Sequence, residues 1–278
     1  MLAVFGSDHP ARAIPGVETI ASDRYARTIE IEGVHGIVIV EPTTADALKA
    51  TIQFSRLAAL PAIIARLRRV FDLAADPQAI GAQLAEDALL APLVGARPGL
   101  RVPGAWDGFE LAVRAVLGQQ ITVKAAAQLG AKLVAAHGTP LSLETVPVDG
   151  LTHVFPRPEC LATADDVRLG MPRRREQTLT ALAKAVVEDP EILGVGQHPI
   201  ECLKRLRAIP GIGEWTAQYI AMRVLREPDA FPADDAGLQR ALAVREERRP
   251  TPREVIVRAE RWRPWRAYAA QHLWAASA

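Results

Sequence analysis

The sequence predicts an α+β protein, with a small amino-terminal α+β domain over residues 1–76 and a mostly α-helical core over residues 77–278. Three observations carry that division. Apolar and polar residues alternate at Tyr25–Glu32 and Gly36–Val40, which is the period of half-buried strands. A helix-like stretch follows near Pro61–Leu73, and from Trp106 onward the apolar spacing is three and four residues, the period of amphipathic helices. At 278 residues the chain exceeds one average domain, and its 49% apolar residues are ample for two or three cores.

Taken in order, the amino-terminal alternation gives strands, and the Pro61–Leu73 stretch gives a helix. Proline and glycine cluster at Arg97–Gly104, which reads as a connector. Helical spacing then places Val113, Val116 and Leu117 on one face and recurs over Ala125–Leu133 and Leu179–Val187. His137–Pro147 and Val154–Pro158 read as loops. No internal repeat or low-complexity tract interrupts this layout.

The densest information lies in Leu203–Leu242, LKRLRAIPGIGEWTAQYIAMRVLREPDAFPADDAGLQRAL. Leu203, Leu206 and Ile209 mark the apolar side of a short helix that Pro210 must end. Gly211 and Gly213 allow backbone angles closed to other residues and leave main-chain N–H groups uncovered. A second helix starts near Glu214 and runs to about Arg226, with Ile220 and Val224 on its inner face. Uncovered N–H groups at a helix start suit a phosphate; a plain turn between helices is the alternative. No Lys-Ser/Thr pair follows the glycines, which excludes a P-loop, and the helical run before them excludes a dinucleotide fingerprint.

Trp215 and Tyr219 stand four apart on one face of the second helix, either as core or as the wall of a pocket that stacks on a planar, electron-poor ligand. Pro228, Pro232 and Asp234-Asp235 then interrupt the helical pattern before Leu238, Leu242 and Val244 resume it. One aspartate suffices to cap the new helix, which leaves the other spare; two solvated capping acids are the alternative. A carboxylate at a helix start stays ionised, which is useful where a cationic transition state must be stabilised.

Composition narrows the field less. A net charge of +1 neither supports nor excludes a nucleic-acid binder. Local clusters matter more: Arg66-Arg68-Arg69, Arg173-Arg174-Arg175, Arg258-Arg261-Arg263-Arg266, and Lys204-Arg205-Arg207, the best placed for phosphate. The two cysteines, Cys160 and Cys202, fit a reducing compartment, and no His/Cys/carboxylate spacing points to a catalytic metal. MLAVF is too short for a signal-peptide core, and Pro61 and Arg66 break the run LAALPAIIARL, so neither secretion nor a membrane span is expected.

The pattern LxxxPGIGxWTAxYxAxR…PxDD resembles the helix-hairpin-helix (HhH-GPD) DNA glycosylases, and within them the AlkA-type 3-methyladenine DNA glycosylase II family. RPGLRVPGAWDGFELAVRAVLGQQITVKAAAQL at Arg97–Leu129, LGMPRRREQTL at Leu169–Leu179 and AERWRPWRAYAAQHLW at Ala259–Trp274 resemble further family blocks in the expected order. RAIPGVE at Arg12–Glu18 and RVFDLAADP at Arg69–Pro77 look like its amino-terminal domain. The resemblance implies a two-lobed helix-hairpin-helix glycosylase core, with the hairpin at residues 203–226 and a catalytic loop at residues 231–236.

Carried over residue by residue, the resemblance makes Asp235 the catalytic aspartate and Trp215, Tyr219 and Trp274 the base pocket. It makes Gly211, Gly213 and Thr216 the contacts to the DNA backbone, and Gln120, where the family often has leucine, the wedge. The main-chain carbonyls of Arg207, Ile209 and Ile212 match positions that hold a sodium or potassium ion in related hairpins; no other cofactor is required. Relatives that also cut the strand carry a Schiff-base lysine where Trp215 stands, so the implied chemistry is monofunctional. Two cysteines cannot ligate an iron–sulfur cluster, which needs four. Ala236 and Ala275 stand where tyrosines are known in the family, and the amino terminus lacks its opening strand, through a shortened sheet or an upstream domain. The expected partner is double-stranded DNA with alkylated bases, met by a cytoplasmic, nucleoid-associated monomer with no membrane contact. A non-catalytic damaged-DNA-binding module and a glycosylase for oxidised or deaminated bases are the rival readings.

Overall fold

A computed structural model describes residues 9–21, 23–44, 47–143, 146–164, 167, 169–194, 196, 198–243 and 248–277. Val244, expected on the apolar face after the aspartates, lies outside them, as do residues 1–8, on which the expected loss of an opening strand bears. In chain order the elements are α1 (His9–Arg12), β1 (Glu18–Ala21), β2 (Arg24–Ile31), β3 (Val34–Pro42), β4 (Leu48–Phe54), α2 (Leu60–Val70), α3 (Pro77–Leu84), α4 (Ala91–Ala96), α5 (Gly108–Leu117) and α6 (Val123–His137). They continue with β5 (Thr139–Pro140), β6 (His153–Val154), α7 (Pro158–Ala162), α8 (Arg173–Glu188), α9 (Pro199–Ala208), α10 (Glu214–Ile220), α11 (Ala236–Ala243), α12 (Pro252–Ala259) and α13 (Arg266–Ala276). The fold is α+β, a small strand-bearing start followed by helices. The strand pair β5–β6 falls within and beside segments expected to be loops, pairing Thr139 with Val154.

The chain forms two compact units, one of His9–Arg66 with Ala112–Pro190 and one of Leu67–Leu111 with Glu191–Ala278. In the first, β1 to β4 make an antiparallel sheet in sequence order. Ile31 pairs with Val34, so Glu32 and Gly33 alone turn the β2–β3 hairpin, both at positive φ of 50° and 78°. That is the geometry two-residue hairpins prefer. Glu18 is the polar centre of this unit: it accepts from the Tyr25 hydroxyl at 2.7 Å, from Arg114 at 2.5 Å and from Arg27 at 3.5 Å. Burial pushes the Glu18 carboxyl up, but the Arg114 and Arg27 guanidiniums and the tyrosine outweigh it and hold it at about 2.

The second unit buries Leu90, Met222, Phe231, Leu238, Leu242, Val255, Trp262 and Leu273 in one cluster. Beside it, Asp72 is buried and accepts from the Tyr268 hydroxyl at 2.8 Å and the Val102 N–H at 3.2 Å. Arg226 pairs with the same carboxylate and donates to the Val102 carbonyl at 2.7 Å. Helix α10 reaches Arg226 through a π turn at Ala221–Leu225, where the Arg226 N–H returns to the Ala221 carbonyl and Arg226 itself is left-handed at φ 62°. Among the described residues no helix is long and apolar enough to cross a membrane.

Candidate active site

The hairpin is built as its residue types dictate. Helix α9 closes at Ala208, the Ile209 N–H turns back to the Leu206 carbonyl at 3.1 Å, and Pro210 ends the ladder. Gly211 has φ 90°, a conformation that a side chain would strain. Gly213 differs from expectation: its φ of −90° and ψ of −177° are open to any residue, and an added Cβ would meet nothing within 4 Å. Both glycines are exposed. Thr216 is only 2% exposed, on the inner side of α10 with Ala217 and Ile220.

Asp235 sits at the start of α11 and is held by three neutral donors. Its Oδ2 accepts the Trp215 indole N–H at 2.8 Å, and its Oδ1 accepts the Trp274 indole N–H at 2.8 Å and the Leu238 backbone N–H at 2.9 Å. The expectation of one capping and one spare aspartate is thus corrected: Asp235 both caps the helix and faces the aromatic pair. Asp234 is exposed, and desolvation together with the charges of Glu214 and Asp235 raises its carboxyl above the ordinary range. Trp215 and Tyr219 stack at 5.3 Å with 8° between planes, Trp274 meets Tyr219 edge-on at 6.4 Å, and the Arg223 guanidinium lies 5.4 Å from the Tyr219 ring centre. All three aromatic residues are half-buried, and Trp274 packs against the core cluster of this unit.

Two further residues serve this constellation and were not singled out from sequence. A Cβ on Gly237 would lie 2.8 Å from Asp235 Oδ1 and 3.2 Å from Trp274 Cδ1, so the bare glycine makes room for the bond between them. Its signal was a glycine in the first turn of a helix, where alanine would be more stable. Gln218 donates to Glu214 Oε1 at 2.9 Å and accepts the Phe231 N–H at 3.1 Å, and Glu214 Oε2 is paired with Arg207 at 2.7 Å. Ala236 is exposed next to Asp235, whereas Ala275 is buried at 4% and presents little to a ligand.

In the other unit, Gln120 is exposed in the turn between α5 and α6, left-handed at φ 58°, and Thr122 caps α6 by accepting the Ala125 N–H at 3.2 Å. Cys202 is buried and donates to the Ile192 carbonyl at 3.2 Å, and burial pushes its thiol up to about 11. Among the described residues no group of three or more His, Cys, Asp or Glu side chains could hold a metal ion.

Comparison with known proteins places this geometry. Residues 9–107 match the AlkA N-terminal domain, and residues 113–267 match the HhH-GPD superfamily of base excision DNA repair proteins. A probable bifunctional transcriptional activator/DNA repair enzyme AlkA of Mycobacterium tuberculosis is 41% identical over 95% of this chain, which spans only 52% of that relative. DNA-3-methyladenine glycosylase 2 of Escherichia coli is 36% identical over 95% of this chain and 89% of its own length. Among solved structures, a 3-methyladenine DNA glycosylase from Archaeoglobus fulgidus superposes with a TM-score of 0.84 at 22% identity, covering 100% of this chain and 94% of its own. A Schizosaccharomyces pombe 3-methyladenine DNA glycosylase in complex with abasic DNA gives 0.59 at 25% identity, over 70% of this chain and 94% of its own.

Proposed function

The chain belongs to the HhH-GPD superfamily of base excision DNA repair proteins, and on that premise we propose that it is a monofunctional DNA-3-methyladenine glycosylase. It flips alkylated bases such as 3-methyladenine and 7-methylguanine out of duplex DNA and hydrolyses the N-glycosidic bond. The observation that carries this reading is the setting of Asp235, a carboxylate among aromatic rings whose three donors are all uncharged. These bonds orient the carboxylate, and among the described residues no salt bridge cancels its charge. Such a group stabilises positive charge developing on the sugar as the base departs.

The substrate supplies the rest. A base alkylated to a cation leaves readily because cleavage neutralises it, so no second acid is needed to protonate it. Extrusion costs a few kcal/mol, less for a lesioned base. The half-buried faces of Trp215, Tyr219 and Trp274 attract electron-poor rings by stacking and by cation–π interaction. Residue 215 offers an indole and no amine, which supports hydrolysis without strand cleavage. Exposed Gly211 and Gly213 receive the phosphate backbone, and Gln120 fills the space the base leaves. The main-chain carbonyls of Arg207, Ile209 and Ile212 are the groups that would hold a sodium or potassium ion, since carbonyls at a helix end run out of partners in their own ladder; that of Ile209 accepts the Ile212 N–H at 3.1 Å. The enzyme acts as a monomer in the cytoplasm, on nucleoid DNA.

The test is release of free base from methylated duplex, wild type beside Asp235→Asn. Methylpurine release that collapses in the variant, with duplex binding kept, supports the reading. Absence of release from either protein, with tight lesion binding by both, sinks it and leaves a damage-binding protein.

A further inference from the structure

Three side chains run from the hairpin to the loop that carries Asp235. Arg207, in the last turn of α9, holds Glu214, the first residue of α10, at 2.7 Å. One turn on, Gln218 donates from Nε2 to Glu214 Oε1 at 2.9 Å and accepts the Phe231 backbone N–H on Oε1 at 3.1 Å. Phe231 opens the loop that ends at Asp235, whose own N–H returns to the Pro232 carbonyl at 2.9 Å.

The residue type is demanding. An ionised Glu214 can only accept and a peptide N–H can only donate, so the bridging side chain needs one donor and one acceptor at its tip. Glutamine has both; glutamate lacks the donor and lysine the acceptor. The same requirement fixes which way the amide faces, with no second orientation satisfying both neighbours.

We propose that Gln218 is a positioning residue, a strut that holds the loop of Asp235 at a set offset from the phosphate-binding hairpin. The inference rests on the glycosylase reading above and deepens it. In a duplex, covalent geometry sets the distance from a gripped phosphate to the sugar carbon under attack. An enzyme that anchors the first must therefore place its carboxylate at the matching distance from that anchor. Misplacement by about 1 Å can cost about a hundredfold in rate.

The experiment measures single-turnover base release at saturating methylated duplex, the duplex Kd and thermal stability for Gln218→Leu, Glu214→Ala and the double variant. Gln218→Leu is expected to slow release by about tenfold or more, with Kd within about twofold of wild type. Glu214→Ala cuts the same strut at an exposed position and slows release by about threefold or more, and the double variant is no slower than Gln218→Leu alone. Rates that multiply in the double variant, or wild-type release by Gln218→Leu, overturn the strut while leaving the glycosylase reading intact. If Gln218→Leu does not fold, wild-type release by Glu214→Ala overturns it. A wild-type protein that releases no base overturns both together.

Discussion

The indole N–H of Trp274 donates at 2.8 Å to Oδ1 of Asp235, the same oxygen that accepts the Leu238 N–H at 2.9 Å and so caps α11. On the proposed function, stability and chemistry therefore meet in one atom, and substitutions can separate them. Asp235→Asn keeps a capping oxygen but no charge and turns its amide NH2 toward the Trp215 indole N–H; it should lose about 10²–10³ in rate, and about 1–3 kcal/mol with the unmet indole donor. Asp235→Ala should lose the same activity and a further 1 kcal/mol or so of stability with the cap. Equal melting temperatures for the two variants would show that the cap contributes nothing.

Gly237→Ala makes a sharper case. In an ordinary helix the change would stabilise by up to about 1 kcal/mol. Here the added methyl meets Asp235 Oδ1 at 2.8 Å and the edge of Trp274 at 3.2 Å. We expect base release to fall by about tenfold, with no gain in melting temperature; a more stable variant of undiminished rate would refute the crowding.

Gly213 tests the hairpin without strain. Its backbone conformation accepts any residue and a Cβ meets nothing, so Gly213→Val should fold and melt as wild type does. If a phosphate approaches this backbone, the new side chain blocks it, weakening duplex binding about tenfold and flattening its salt dependence. Unchanged affinity would mean that DNA does not come close at this point.

The architecture and the hairpin were legible because they depend on local rules. Alternation marked β2 and β3, three-and-four spacing marked α5, α6 and α8, and Pro210 with Gly211 stopped α9. Asp235 was legible as an acid before a helix. Its double duty was not, because the two indole donors arrive from positions 20 and 39 residues away in the chain. Gln218 escaped for the same reason: its value lies in joining Glu214 to a backbone amide 13 residues on. Gly213 was read as a glycine required by backbone angle, whereas only Gly211 is.

Strong acid should loosen the first unit at Glu18. Its carboxyl, held at about 2 against an ordinary 4.5, contributes stability fully above about pH 4.5 and loses it as pH falls toward 2. Glu18→Gln, which leaves Arg114 and Arg27 facing a neutral group, should cost about 3–5 kcal/mol near neutral pH. The gap from wild type in denaturant titrations should narrow steadily below about pH 4.5; a gap independent of pH would refute the ion-pair account.

His272 acts in a different window. Burial, then the charge of Arg97, lowers its imidazole from 6.5 to about 4, against a raising bond to the Leu93 carbonyl. The unfolded chain therefore binds a proton that the folded one refuses, and stability should fall as pH drops from 6.5 to about 4. His272→Gln should remove this slope, at most about 1.4 kcal/mol per pH unit, in melts across that range. An unchanged slope would place the titration elsewhere.

The π turn at Ala221–Leu225 sets a phase. By closing a loop one residue longer than an α turn, it turns the chain beyond it through an extra fraction of a revolution. Arg223 can therefore lie over Tyr219 while Arg226, only three residues later, reaches the buried Asp72. Losing one residue from this turn would leave composition and charge almost intact yet swing Arg226 away from Asp72. In lineages descended from this protein, single-residue gaps should therefore be purged within these five positions.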